Sequence, residues 1–149
     1  MTTVTLRSLP TEYSRAMLLE LLDTHGFRAR YDFVYLPHDS QKHTPLGFAF
    51  INFVHPDDAA RCFQRFRGFR AWSVPCSREC VVDWHTPQGL AANIEKYRNT
   101  TLMFPSVAEE RKPLLLLDGA PVPFPSANRR RRRGADGASA GGVGCGRPL

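Results

Sequence analysis

Eight residues, LGFAFINF at 46–53, constrain this chain more than any other stretch. They read as a β-strand, and strand side chains alternate between two faces. Gly47, Ala49, Ile51 and Phe53 form one set; Leu46, Phe48, Phe50 and Asn52 form the other. Small Gly47 and Ala49 let helices approach closely, so the first set is expected to face helices. Phe48 and Phe50 then point to the opposite side.

The segments on either side supply the rest of a fold. Residues 3–9, TVTLRSL, are β-branched and apolar and stop at Pro10, which predicts a first strand. Ser14 is placed to cap a helix whose apolar side is Met17, Leu18, Leu21 and Leu22, with Gly26 at its end. YDFVYL at 31–36 reads as a second strand, and the polar residues 38–45 as a loop. Pro56 suits a first helical position, and Asp57 and Asp58 the positive end of a helix dipole. Ala59, Cys62, Phe63 and Phe66 give that helix its apolar side. CVVDW at 80–84 predicts a fourth strand. The order strand, helix, strand, strand, helix, strand is the βαββαβ arrangement of an α+β ferredoxin-like sandwich, with two helices on one face of an antiparallel sheet.

The other face of such a sheet is open. Two large aromatics there leave apolar area in water unless something planar stacks on them. Nucleic-acid bases do so at ~1–3 kcal/mol per base, which makes Phe48 and Phe50 a candidate platform. Thr5, Arg7, Tyr35, Asn52, Asp83 and His85 share or border that face by strand parity and are the candidate secondary contacts. The competing assignment makes Phe48 and Phe50 core, covered by a third helix at 88–99 with Leu90, Ile94 and Tyr97 on one side. Both hold if that helix moves when RNA binds.

Three stretches are expected: a core at 2–87, an extension at 88–125 with a helix and a Pro-rich part containing Leu114–Leu117, and a disordered tail at 126–149. Of the net charge of +6, the tail carries +5 and the rest of the chain +1. Removing the tail's six arginines and one acid from the totals of 20 and 14 leaves 14 basic against 13 acidic residues before Ser126. Arg129, Arg130, Arg131, Arg132 and Arg133 suit sequence-blind attraction to phosphate or nuclear import; a merely solubilising tail is the alternative. The four scattered cysteines favour a reducing compartment. Cys76, Cys80 and His85 fall short of a zinc set, so no metal or cofactor is expected. No apolar leader is evident, and Leu114–Leu117 is far short of the ~20 apolar residues of a membrane helix. No nucleophile or phosphate-loop motif suggests an enzyme.

The octamer matches the RNA recognition motif (RRM) pattern at seven of eight positions, Leu46 standing where a basic residue is usual. In VTLRSL at 4–9, Thr5 stands where an aromatic is usual. Tyr35 or Phe33 on the neighbouring strand is the candidate to compensate. More closely, the chain resembles the C-terminal RRM of the Mei-two-like meiosis regulators. TTVTLRSLPTEYSRAMLLELLD at 2–23, YDFVYLPHD at 31–39, LGFAFINFVHP at 46–56 and QGLAANIEKYRNTTLM at 88–103 carry this resemblance. RKPLLLLDGAPVPFP at 111–125 adds a weaker similarity. The resemblance implies RNA binding and post-transcriptional control; single-stranded RNA as partner, a monomer, and a place in the nucleus and/or cytoplasm are the accompanying expectations. A protein-interaction module whose sheet is covered by the extension is the rival expectation, with a protein partner instead.

Overall fold

The computed structural model describes residues 1–128. Four strands and two helices follow the expected order: β1 (Thr3–Arg7), α1 (Arg15–Leu22), β2 (Tyr31–Tyr35), β3 (Ala49–Phe53), α2 (Pro56–Phe66) and β4 (Val81–Trp84). The extension adds α3 (Leu90–Tyr97), β5 (Leu114–Leu117) and β6 (Ala120–Val122). All six strands form one antiparallel sheet in the order β4-β1-β3-β2-β5-β6. The fold is the α+β ferredoxin-like sandwich with a C-terminal extension.

Local chemistry sets the helix ends. The Ser14 hydroxyl accepts the Met17 N–H at the start of α1, and Gly26, at φ +93°, turns the chain after it. At α2, Pro56 occupies the first turn, the His55 ring accepts the Asp57 N–H, and Asp57 and Asp58 face the positive end of the dipole. Leu18 and Leu22 of α1 and Ala59 and Phe66 of α2 are fully buried against Ile51 and Phe53 of β3. Gly47 and Ala49 are likewise buried, as their assignment to the helix side required.

Strand β3 begins at Ala49, three residues later than the octamer suggested. Gly47 is the cause. Its φ of +90° breaks the extended run, and its carbonyl accepts the Leu9 N–H at 2.8 Å. A Cβ there would sit 3.1 Å from the Leu9 carbonyl oxygen and 3.2 Å from Arg78 Nη1. The glycine therefore serves a close backbone approach to Leu9, and the atoms nearest it belong to Leu9, Arg78 and Thr11 rather than to either helix, so the expected helix contact is found at Ala49 and not at Gly47.

The extension differs more. Leu114–Leu117 is not part of an irregular Pro-rich stretch; it is a strand that pairs with the free edge of β2, Phe33 opposite Leu115 and Val34 opposite Leu114. Asp118 and Gly119 turn the chain at φ +51° and +85°, the positive pair that a two-residue hairpin needs. Pro121 lies in the outermost strand, where a missing N–H is tolerated and blunts the edge. The described chain continues to Asn128, held by Arg98 on the Ser126 carbonyl and by Asn99, which accepts the Asn128 N–H. Arg129 to Arg133 lie outside the described residues. Among the described residues, no helix is long and apolar enough to cross a membrane.

Candidate nucleic-acid interface

Strand register sorts the outer face into rows. Phe33 and Thr3 flank Asn52, with His85 beside Thr3. Tyr35 and Thr5 flank Phe50, and Asp83 lies beyond Thr5. The last row holds Phe48 and Arg7. These rows do not share one environment.

Helix α3 and the β5–β6 hairpin close the first row. Phe33, Tyr97 and Leu115 form a second buried cluster, joined at its rim by Tyr35, Phe50, Leu90 and Ile94. The Phe33 and Tyr97 rings stack at 6.0 Å and 22°. Burial pushes the Tyr97 phenol up to about 12, with the neighbouring Tyr35 adding to the effect. A polar network fixes the start of α3. Gln88 accepts the Thr2 and Thr3 N–H groups and donates to the Thr3 and His85 carbonyls. The Thr3 hydroxyl donates to Asn52 at 2.7 Å and accepts from Gly89 N–H and Asn93. Asn52 in turn donates to Asp32, whose carboxyl burial holds above its ordinary range despite that bond.

The opposite end stays open. Phe48 and Phe50 are half-buried, their ring centroids 5.6 Å apart. His85 lies flat on Phe50 at 4.1 Å and 23°, with Nδ1 3.3 Å from the Thr5 hydroxyl. Lys96 of α3 approaches the Phe50 ring to 6.0 Å and the Tyr97 ring to 5.6 Å. Burial, then the Lys96 charge, holds the His85 imidazole below its ordinary range. Arg7 and Asp83 form an ion pair beside this strip, both side chains well exposed.

Strand parity thus put all eight sequence-derived residues on the outer face, but only some of them on accessible surface. Asn52 is 2% exposed and Thr5 8%. The polar groups of Asn52 serve the network under α3, and His85 lies over Thr5, so neither is free to meet a ligand. Phe33, the candidate to compensate for Thr5, is sealed beneath Tyr97. Tyr35 is half-buried, edge-on to Tyr97 at 4.9 Å. Phe48, Phe50, His85 and the Arg7–Asp83 pair remain. Sequence reasoning missed Lys96, which helical spacing on from Tyr97 and Ile94 does not mark, and Arg78. The Arg78 guanidinium donates to the Leu9 carbonyl beside Gly47; its position depends on the path of the loop before β4. Cys80 is buried in the core, its thiol pushed up to about 12 by burial. Among the described residues, no three His, Cys, Asp or Glu side chains come together as a metal site.

A sheet with an aromatic pair on its outer face and two helices beneath is the architecture of a nucleic-acid-binding RRM domain. The chain belongs to the RNA recognition motif 2 family, whose model matches residues 1–98. It is 32% identical over 149 residues to the meiosis protein mei2 of Schizosaccharomyces pombe, covering 96% of this chain and 19% of that protein. It is 33% identical over 128 residues to protein terminal ear1 of Zea mays, covering 76% of this chain and 19% of that protein. Protein MEI2-like 1 of Arabidopsis thaliana is 30% identical over 137 residues, covering 89% and 15%. The chain therefore spans less than a fifth of the length of these relatives. Among solved structures, the Rna15 RRM with bound RNA (GU) superposes with a TM-score of 0.51 at 18% identity, covering 66% of this chain and 97% of that one. That likeness is one of fold.

Proposed function

We propose that this chain binds single-stranded RNA on the open end of its sheet and acts as a monomer in post-transcriptional control, in the nucleus and/or cytoplasm. The observation that carries the reading is the Phe48–Phe50 pair, half-buried at the end of the outer face where the cover by α3 gives out, Phe50 at its rim and Phe48 beyond it. Bases have apolar faces that such rings bury. Arg7 and Lys96 supply positive charge beside the strip, suited to phosphate. Membership of the RNA recognition motif 2 family and the RNA bound to the Rna15 RRM support the same partner. The covered row implies a short footprint, since Phe33 is withdrawn from stacking. The arginines at 129–133 add attraction that is blind to sequence and falls steeply with salt.

The test is fluorescence anisotropy of the full chain with labelled single-stranded RNA at moderate salt. Phe48→Ala is expected to lose about 1–3 kcal/mol of binding free energy, while Arg→Gln changes at 129–133 lower the salt dependence. If Phe48→Ala binds as the wild type does, and all affinity goes with the arginines, the sheet is not the platform. A second reading, a protein-interaction module, draws on the closure of the Phe33 row by α3 and the hairpin. It gains ground if RNA leaves the Phe48 and Phe50 ring signals unmoved.

A further inference from the structure

The stack of His85 on Phe50 resembles a base stacked on a phenyl ring. The two rings are close to parallel, 23° apart, with centroids 4.1 Å apart. The space that the imidazole fills exists because β1 carries Thr5 there, a small side chain directly opposite Phe50. The lodging is incomplete. His85 Nε2 is buried with no hydrogen-bond partner, and a buried polar atom left unpaired weakens the state that holds it. The backbone of His85 is fixed independently, its N–H on the Thr3 carbonyl and its carbonyl on Gln88. The side chain can therefore leave without disturbing the sheet.

We propose that the space bounded by Phe50, Thr5 and Lys96 is a site for one nucleobase, held closed in the free protein by the His85 imidazole, which the incoming base replaces. The inference rests on the RNA-binding reading and specifies how its second aromatic is reached. Phe48 receives RNA first, and Phe50 becomes available when His85 swings out. The apparent affinity is then the intrinsic one scaled by the fraction of open molecules.

The charged and titratable groups around His85 give the latch a pH dependence. Lys96 of α3 faces it from above, Tyr35 of β2 lies beyond Phe50, and the Arg7–Asp83 pair joins β1 to β4 beside it. Asp83 is engaged by Arg7, so Lys96 is the charge left to act on the ring. A protonated imidazole is disfavoured in the stack by burial and by Lys96. Because the closed state binds its proton less readily than the open one, falling pH through the ordinary histidine range near ~6.5 favours opening.

The experiment has two arms on the full chain. In the first, NMR without RNA reads the His85 ring protons, which Phe50 shifts upfield when stacked. Phe50→Ala is expected to return them to ordinary values; His85 ring shifts equal in wild type and Phe50→Ala overturn the proposal. In the second, a labelled ten-nucleotide oligouridylate is titrated at pH 7.5 and 5.5. His85→Ala is expected to bind about three- to tenfold tighter than wild type at pH 7.5, as for a closed state populated at roughly 70–90%. The wild type gains more on acidification than His85→Ala, and His85→Ala adds nothing on a Phe50→Ala background. Weaker or unchanged binding by His85→Ala overturns the latch. If neither chain binds RNA, the RNA-binding reading fails and the latch for a base falls with it, while the first arm still reports whether the stack exists.

Discussion

One sheet has an apolar cluster on each face, and the two are closed by different means. Beneath, α1 and α2 seal a core in which Val4, Leu6, Ile51, Phe53 and Phe66 have no exposed surface. Above, α3 and the β5–β6 hairpin seal Phe33 fully and Tyr97 nearly so, and the closure then fades through half-buried Tyr35 and Phe50 to Phe48. The lower cluster is a core that must exist for the sheet to fold. The upper one is a graded cover that sets how much of the outer face remains for a ligand.

Matched truncations break or sustain that contrast. Phe53→Ala in the lower core is expected to cost about 3–5 kcal/mol of stability. Tyr97→Ala in the upper cluster is expected to cost about 1.5–3 kcal/mol, since its site borders solvent and can collapse. Urea unfolding midpoints, converted with a common slope, measure both. Equal losses would make the upper cluster as integral to folding as the lower and remove the basis for treating it as a cover.

Gln88→Ala sharpens the comparison by loosening the cover at its polar end alone. Four hydrogen bonds of 2.7 to 3.0 Å join Gln88 to Thr2, Thr3 and His85. Their loss is expected to cost about 1–3 kcal/mol, because the freed backbone groups are partly buried. Amide hydrogen exchange should accelerate in α3 while the amides of β3 keep their protection. Acceleration in both elements together would show that cover and core open as one unit.

How much of this was legible in the sequence follows the same division. The lower face was, because its closure rests on signals within short windows: alternation in β1 and β3, and helical spacing of Leu18, Leu21 and Leu22. The parity of Phe48, Phe50, Thr5, Arg7, Asn52 and His85 was also legible, since alternation fixes which way a strand residue points. Their exposure was not, because it depends on an element 40 residues downstream of Phe50 in the chain, counted from Phe50 to Leu90. The hairpin did carry a local signal. Leu114–Leu117 followed by Asp118-Gly119 is an apolar run ending in a dipeptide that favours the tight hairpin turn. Pro113, Pro121, Pro123 and Pro125 around it gave the segment the look of an irregular stretch, yet Pro121 sits on an outer edge where no N–H is needed.

The smallest expected effect probes the open end. Asp83→Asn removes the ion pair with Arg7, whose two side chains are 48% and 56% exposed. Water and salt screen such a pair, so the stability change should stay below about 1 kcal/mol and shrink further at high salt. The contrast with Gln88 is instructive: both are polar groups on the same face of the same sheet, but one is enclosed by α3 and the other is not. A large loss from Asp83→Asn would mean that the open end, too, is held by its polar contacts, and the strip around Phe48 would then be structural surface. A small one leaves Arg7 free to exchange its carboxylate partner for a phosphate at little expense to the fold, which is what a binding edge requires.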